Sequence, residues 1–266
     1  MPGRRTRIRE SSLRVGTGNV TDPDPIVDGD RADTAQQEPA RALPQSRRRL
    51  RRLSRTPRGT HRYMVLACSE QDIAGVDLGS GALARLRVDS SESSSPSCAP
   101  FDVVDATWAA DPERDDLAQP EAVSIIGTPK TVGALRGRRA RRVLRRLVAP
   151  AEQHLLGFPG MSAPYWEFGG MRPSLALVIP GRGPILFRRS TDHSVWARFG
   201  WQRTDNWLPV EDRRAVASLW ASRRDRLSGR ELTRQLGFRP HFLVVTLSGP
   251  RNGHCYKIVA AILPRP

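Results

Sequence analysis

His254 is followed directly by Cys255, the closest approach of a histidine to a thiol in the chain. Adjacent residues of a strand point to opposite faces, so the two do not make a nucleophile–base dyad. His154, His193, His241 and His254 are scattered. None pairs at the i, i+4 spacing that sets two imidazoles on one helix face for a metal. Cys68, Cys98 and Cys255 lie far apart and form no Cys-x-x-Cys, which argues against a disulfide framework and against zinc. No Gly-x-Ser-x-Gly elbow is present. The glycines at Gly79-Ser80-Gly81 and Gly181-Arg182-Gly183 read as turns. They lack the long glycine fingerprint and the Gly-Lys-Ser/Thr ending that cradle phosphates. Glu167, between Trp166 and Phe168, is the one acid in a strongly apolar run, where desolvation would raise its pKa. The competing placement is outward on an edge strand. No catalytic residue, metal site or cofactor is predicted. An enzyme, the second reading, would have to assemble its site from distant residues, with His193, His241, Asp205 and Glu167 as loose candidates.

Binding chemistry is better represented. Arg138, Arg139, Arg141, Arg142, Arg145 and Arg146 surround an apolar stripe of Ala140, Val143, Leu144, Leu147 and Val148. The stripe has helical periodicity and predicts an amphipathic helix over 138–148, stopped by Pro150. At 1.5 Å per residue it is about 18 Å long, enough to lie along or enter a major groove. Each arginine on a phosphate would add a salt-dependent increment through counterion release. The alternative is a solvated face paired with Asp111, Glu113, Asp115 and Asp116. A membrane-surface role is disfavoured because the apolar stripe has no aromatic anchor.

Trp196, Phe199, Trp201 and Trp207 alternate with Arg198 and Arg203, a composition that stacks bases or builds a sheet core. Trp207, between Asn206 and Leu208, is expected to be exposed in a loop. Ser228–Leu236, with Arg230, Thr233, Arg234 and Gln235, follows another helix after a turn. That order suggests a helix-turn-helix only superficially, because strands flank it.

The elements that position these residues divide unevenly along the 266-residue chain. All 6 Trp and all 7 Phe follow residue 62. The first 62 residues hold 15 Arg and 7 acids in alternating charge blocks, a net +8 of the total +16. Too apolar-poor to offset its ordering entropy, this stretch is expected to be a disordered arginine-rich tail over 1–61. Met64, just ahead of the first strand-like run, offers a second translation start. A native tryptic peptide from 1–62 would exclude it. Only two of the 43 basic residues are lysines, Lys130 and Lys257. GC-rich codon usage gives the same skew, which weakens the high pI as evidence for nucleic acid.

Strands are expected at Tyr63–Cys68, around the glycine turn at 79–81, at Phe101–Trp108 and at Val123–Ile126. Farther along, Ser174–Ile179, Pro184–Arg189 and Ser194–Trp201 read as a meander. Helices are expected from Val210 to about Arg226 and at Ser228–Leu236. The second carries a Ser228/Glu231 capping box, a Leu227/Leu232 staple and a Gly237 stop. Phe242–Leu247 and Cys255–Leu263 read as a hairpin turned at Asn252-Gly253.

The predicted fold is α+β, with two small lobes, 62–150 and 151–266. Each is an antiparallel sheet packed with one or two helices, and the tail precedes them. The chain lacks an apolar run of about 18 residues and a secretory signal, so a soluble, cytoplasmic protein without a membrane partner is expected. The leading functional expectation is a non-enzymatic binding or regulatory protein for a polyanion, nucleic acid first. Its contacts are Arg138, Arg139, Arg141, Arg142, Arg145, Arg146 and Trp207. A protein-interaction module is the third reading, and the oligomeric state is not predicted.

Overall fold

The computed structural model describes residues 59–70, 72–88, 97–109, 116, 118–150, 154–168 and 172–266. Readings that fall on the tail up to residue 58, on the serines at 89–96 and on Asp111, Glu113 and Asp115 lie outside the described residues.

Five strands close a barrel in the order β1-β2-β3-β5-β4. They are β1 (Thr60–Cys68), β2 (Asp72–Asp77), β3 (Leu83–Val88), β4 (Asp102–Trp108) and β5 (Ala122–Ala134). The β2–β3 turn is held by the Asp77 carboxylate, which accepts from the Gly79 N–H at 2.8 Å, and by Gly81 at φ 76°. At Gly75 an added Cβ would come within 2.8 Å of the Met64 carbonyl oxygen, so the close pairing of β1 and β2 requires glycine there. Tyr63, Val65, Ile73, Leu86, Val104 and Ile125 fill the barrel.

The barrel corrects the expected antiparallel first lobe. β3 and β5 run parallel, from Arg85↔Ala122 to Val88↔Ile125. β5 then continues past β4 in antiparallel register, so one strand joins both edges and closes the sheet. The sequence reading ended this strand at Ile126, before Gly127-Thr128-Pro129. In the structure these residues form a bulge opposite Asp105–Thr107, where proline costs no ladder bond.

The C-terminal half holds two antiparallel four-stranded sheets. One has the order β6-β13-β12-β7, from β6 (Ser162–Pro164), β7 (Leu175–Val178), β12 (Pro240–Leu247) and β13 (His254–Pro264). The other has the order β10-β9-β8-β11, from β8 (Arg182–Arg188), β9 (Val195–Trp201), β10 (Thr204–Pro209) and β11 (Arg226–Leu227). The helices are α1 (Gly137–Arg145), α2 (Arg213–Ala221) and α3 (Gly229–Leu236). The mixed α+β character expected from sequence is present. None of the described helices is long and apolar enough to cross a membrane.

The first of these sheets is covered on both faces. Leu175, Leu177, Phe242, Val244, Ala261 and Leu263 pack against Met64, Leu66, Ala74 and Val76 on the outside of the barrel. The alternate residues Ala176, Val178, Leu243, Val245 and Val259 pack against Leu186, Ala197, Phe199 and Leu208 of the second sheet. A bulge shifts the β13 register between Val259 and Ala261, so both residues reach their opposite cores. The described residues from 59 onward therefore stack as three layers and are not plainly two antiparallel lobes. The unbroken apolar runs of β7 and β12 give this sheet two apolar faces, and each face needs a neighbour.

Candidate nucleic-acid interface

Helix α1 emerges directly from the barrel. Leu135 is buried, and Arg136 anchors the entry. Arg136 donates to the Pro100 carbonyl at 2.7 Å, lies 3.4 Å from Asp102, and covers the Phe101 ring at 5.6 Å. Gly137 takes φ 58°, which turns the chain into the helix. Ala140 and Leu144 are buried, with Val143 and Leu147 packed beside them. The helix is shorter than the predicted 138–148. Arg146 is its C-cap, and Val148 leaves it to bridge Leu177 in parallel.

Packing, not electrostatics, holds this helix. Its first turn has no acid and no side-chain cap, yet it carries Arg138 and Arg139 at the positive end of the helix dipole. The pairs Arg138/Arg142, Arg141/Arg145 and Arg142/Arg146 are like charges at i, i+4, each unfavourable by about 0.2–0.5 kcal/mol. Arg138, Arg139, Arg141, Arg142, Arg145 and Arg146 are all exposed. Among the described residues none of the six has an Asp or Glu carboxylate within ion-pair distance. Of the acids proposed as their partners, Asp116 is described, and it pairs with Arg87 on β3.

More cations gather at the same place. Arg141 donates to the main-chain oxygen of Pro266 at 3.4 Å. His241 is held below the usual histidine pKa, first by burial and then by Arg265, Arg239 and Arg141. Arg239 and Arg265 sit at the facing ends of β12 and β13, where Pro240 pairs with Pro264. The sequence reading missed these two arginines. Their meeting depends on the register of β12 and β13, which is shifted twice and which local pattern does not specify.

Trp207 is in β10, not in a loop. It is 47% exposed on the outer face of the second sheet. β9 alternates strictly, with Val195, Ala197, Phe199 and Trp201 inward and Trp196 and Arg198 outward. Trp207 pairs with Arg198 across the ladder, and the Arg198 guanidinium lies 5.0 Å from its ring centre. The Phe187 ring is 5.1 Å from Trp207, edge to face. Phe199 and Trp201 from the same sequence segment are core residues. A cavity of about 290 Å³ is lined by Arg146 at the end of α1 and by Trp201. Trp201 also lines a shallow site of about 370 Å³ with Arg182, Arg203 and Asp205.

The dispersed catalytic candidates are not brought together. His193 is exposed in a turn at φ 55°, and Glu167 is exposed beside Trp166. Asp205 is ion-paired with Arg198, and His241 lies in the basic patch. Of the four, Asp205 alone lines a described cavity. A larger cleft, about 470 Å³, opens between β1–β3 and the β12–β13 sheet. Its charges are matched: Arg85 with Asp72, Arg213 with Glu70, and Arg251 with Glu211. Among the described residues no group of His, Cys, Asp and Glu is arranged to hold a metal ion.

Comparison with protein-family models, with curated proteins and with solved structures gave no match.

Proposed function

We propose that the protein is a non-enzymatic, cytoplasmic binding or regulatory protein whose ligand is a polyanion, nucleic acid before any other. Arg138, Arg139, Arg141, Arg142, Arg145 and Arg146 grip phosphates, and Trp207 offers a face to an unstacked base. One observation carries this reading: an exposed helix bears six guanidinium groups with no Asp or Glu partner among the described residues, and one of the six converges with Arg239 and Arg265. Such a helix repels itself in isolation and is relieved by anions. The barrel adds no support of its own. Small five-stranded barrels often bind oligonucleotides on the β2–β3 face, but here Ala74, Val76 and Leu83 of that region pack in the core shared with the β7–β12–β13 sheet.

The test is a titration with labelled single-stranded DNA, duplex DNA and RNA at several salt concentrations. Binding is expected to weaken with salt, with a logarithmic slope of about 0.7–0.9 per phosphate contact. The triple variant R138A/R142A/R145A is expected to reduce that slope by about 2–3. Trp207→Ala is expected to weaken single-strand binding by about 1–3 kcal/mol and to leave the slope unchanged. No binding at low salt would sink the reading, and a flat salt slope would remove phosphates from it.

A further inference from the structure

Cys68 and Cys98 are thirty residues apart in sequence and meet in space. Cys68 ends β1. Cys98 lies just before a turn tied to β1: Phe101 N–H donates to the Val65 carbonyl at 2.7 Å. Asp102 N–H donates to the Ala99 carbonyl at 3.0 Å, and the Asp102 carboxylate accepts from Ala99 N–H at 2.9 Å. Both half-buried cysteines pack on the apolar filling of the barrel, and their thiols hydrogen-bond to each other. Cys68 also lines the 470 Å³ cleft, which opens its sulfur to solutes. Cys255 is different: it is completely buried and its thiol is pushed up to about 11 by that burial.

We propose that Cys68 and Cys98 form a redox-active dithiol, with Cys68 the attacking thiolate and Cys98 the resolving thiol. The oxidant is a peroxide. The Cys68 thiolate attacks one peroxide oxygen and the O–O bond breaks, giving a sulfenic acid on Cys68 and hydroxide. The Cys98 sulfur then attacks the Cys68 sulfur, its proton leaves with the sulfenic oxygen as water, and the S–S bond forms. The sulfurs lose two electrons and the peroxide gains them. A small thiol reverses the step by exchange.

The environments divide the labour in the required direction. Cys68 lines the 470 Å³ cleft together with Arg213, whereas Cys98 does not, and the Cys98 hydrogen bond and the Arg213 charge both favour the thiolate on Cys68. Its partner is pushed the other way and keeps its proton until the resolving step. The proposal is independent of the polyanion reading, because none of its residues lies on α1 or on the Trp207 face.

The test uses the full chain, treated with hydrogen peroxide, alkylated without reductant and digested with trypsin. The two cysteines fall in separate peptides, 63–85 and 88–114. The expected product is these two peptides joined and lighter by two hydrogens, separable by dithiothreitol, with Cys255 still a thiol. In C98S the bridge is lost and dimedone labels Cys68 instead. In C255S the bridge forms as in the native chain. Without peroxide, Cys68 should alkylate at least about tenfold faster than Cys255 near neutral pH. If peroxide leaves peptides 63–85 and 88–114 unjoined, or joins either one to Cys255 or to a second chain, the proposal is overturned. The same holds if C98S protects Cys68 from dimedone.

Discussion

Lys257 is one of two lysines in the chain, and the strand turns it inward. Its Nζ donates to the carbonyls of Phe158 at 2.6 Å and Gly160 at 2.7 Å, and it lies 3.9 Å from the centre of the Phe158 ring. Burial lowers its pKa from 10.5 to about 8. Between those two values the unfolded chain binds more protons than the folded one, so this group makes stability rise with pH across that window. Below about 8 the cost of the buried charge is complete and constant. A shift of this size corresponds to at most about 3 kcal/mol. The urea midpoint should therefore increase from about pH 8 to about pH 10 in the native chain, and Lys257→Met should flatten that rise. An unchanged slope in the variant would assign the pH dependence to other groups. The inward position was legible in the sequence, since Cys255, Lys257 and Val259 alternate on one face of an apolar strand. The carbonyl cradle was not, because Phe158 and Gly160 come from a segment about a hundred residues earlier.

Among the elements, α2 shows how little of a helix start is decided by periodicity. Asp212 caps it, accepting from Arg214 N–H at 2.9 Å and Ala215 N–H at 3.2 Å. Its other oxygen accepts from Ile262 N–H at 2.8 Å and ties the helix to β13. Asp212→Ala strands three backbone donors at a site that is 6% exposed, and should lower the unfolding free energy by about 2–4 kcal/mol in urea titration. Asp212→Asn keeps an acceptor and should recover part of that loss. The sequence reading ran the helix from Val210 to about Arg226, but it ends at Ala221 and Arg226 opens β11. In the structure Val210 bridges Val259 instead. The capping box expected at Ser228 is not formed: its side chain makes no cap bond, and Glu231 is taken by Arg224 at 2.9 Å. Gly237 ends α3 in the left-handed conformation at φ 74°, as expected, because no tertiary partner competes for a backbone angle. Local backbone signals survived folding here, whereas side-chain signals yielded to nearby charges.

For the molecule as a whole, the decisive contacts join layers. Arg85, 5% exposed, reaches from β3 across to the Ser174 carbonyl at 3.3 Å and the Leu247 carbonyl at 3.1 Å. Asp72 accompanies it at 3.5 Å. Arg85→Ala should cost about 1–3 kcal/mol, since it removes two buried hydrogen bonds between the layers, although Gln119 still donates to the Leu247 carbonyl and the Leu247 N–H to the Ser174 carbonyl. Hydrogen exchange should quicken together in the barrel and in the β7–β12–β13 sheet, because the two share one apolar cluster. Protection lost in the barrel alone would contradict that coupling. This arrangement was half legible in sequence. The run Phe242-Leu243-Val244-Val245 has no polar alternation, which marks a strand covered on both sides. Which layers cover it depends on barrel closure, and the bulge at Gly127–Pro129 concealed that. The arginines of α1 were legible as a cluster. Their approach to Arg239 and Arg265 depended on a strand register that local pattern does not specify.

The covered outer wall of the barrel has a consequence for synthesis. Met64, Leu66, Ala74 and Val76 are translated well over a hundred residues before Phe242, Val244, Ala261 and Leu263, which cover them. A ribosome extending this chain therefore carries a barrel with part of its greasy wall uncovered from the completion of β5 until β12 and β13 are made. Such a nascent chain is a natural client for a holding chaperone, and the wall is sealed only when the closing hairpin clears the exit tunnel.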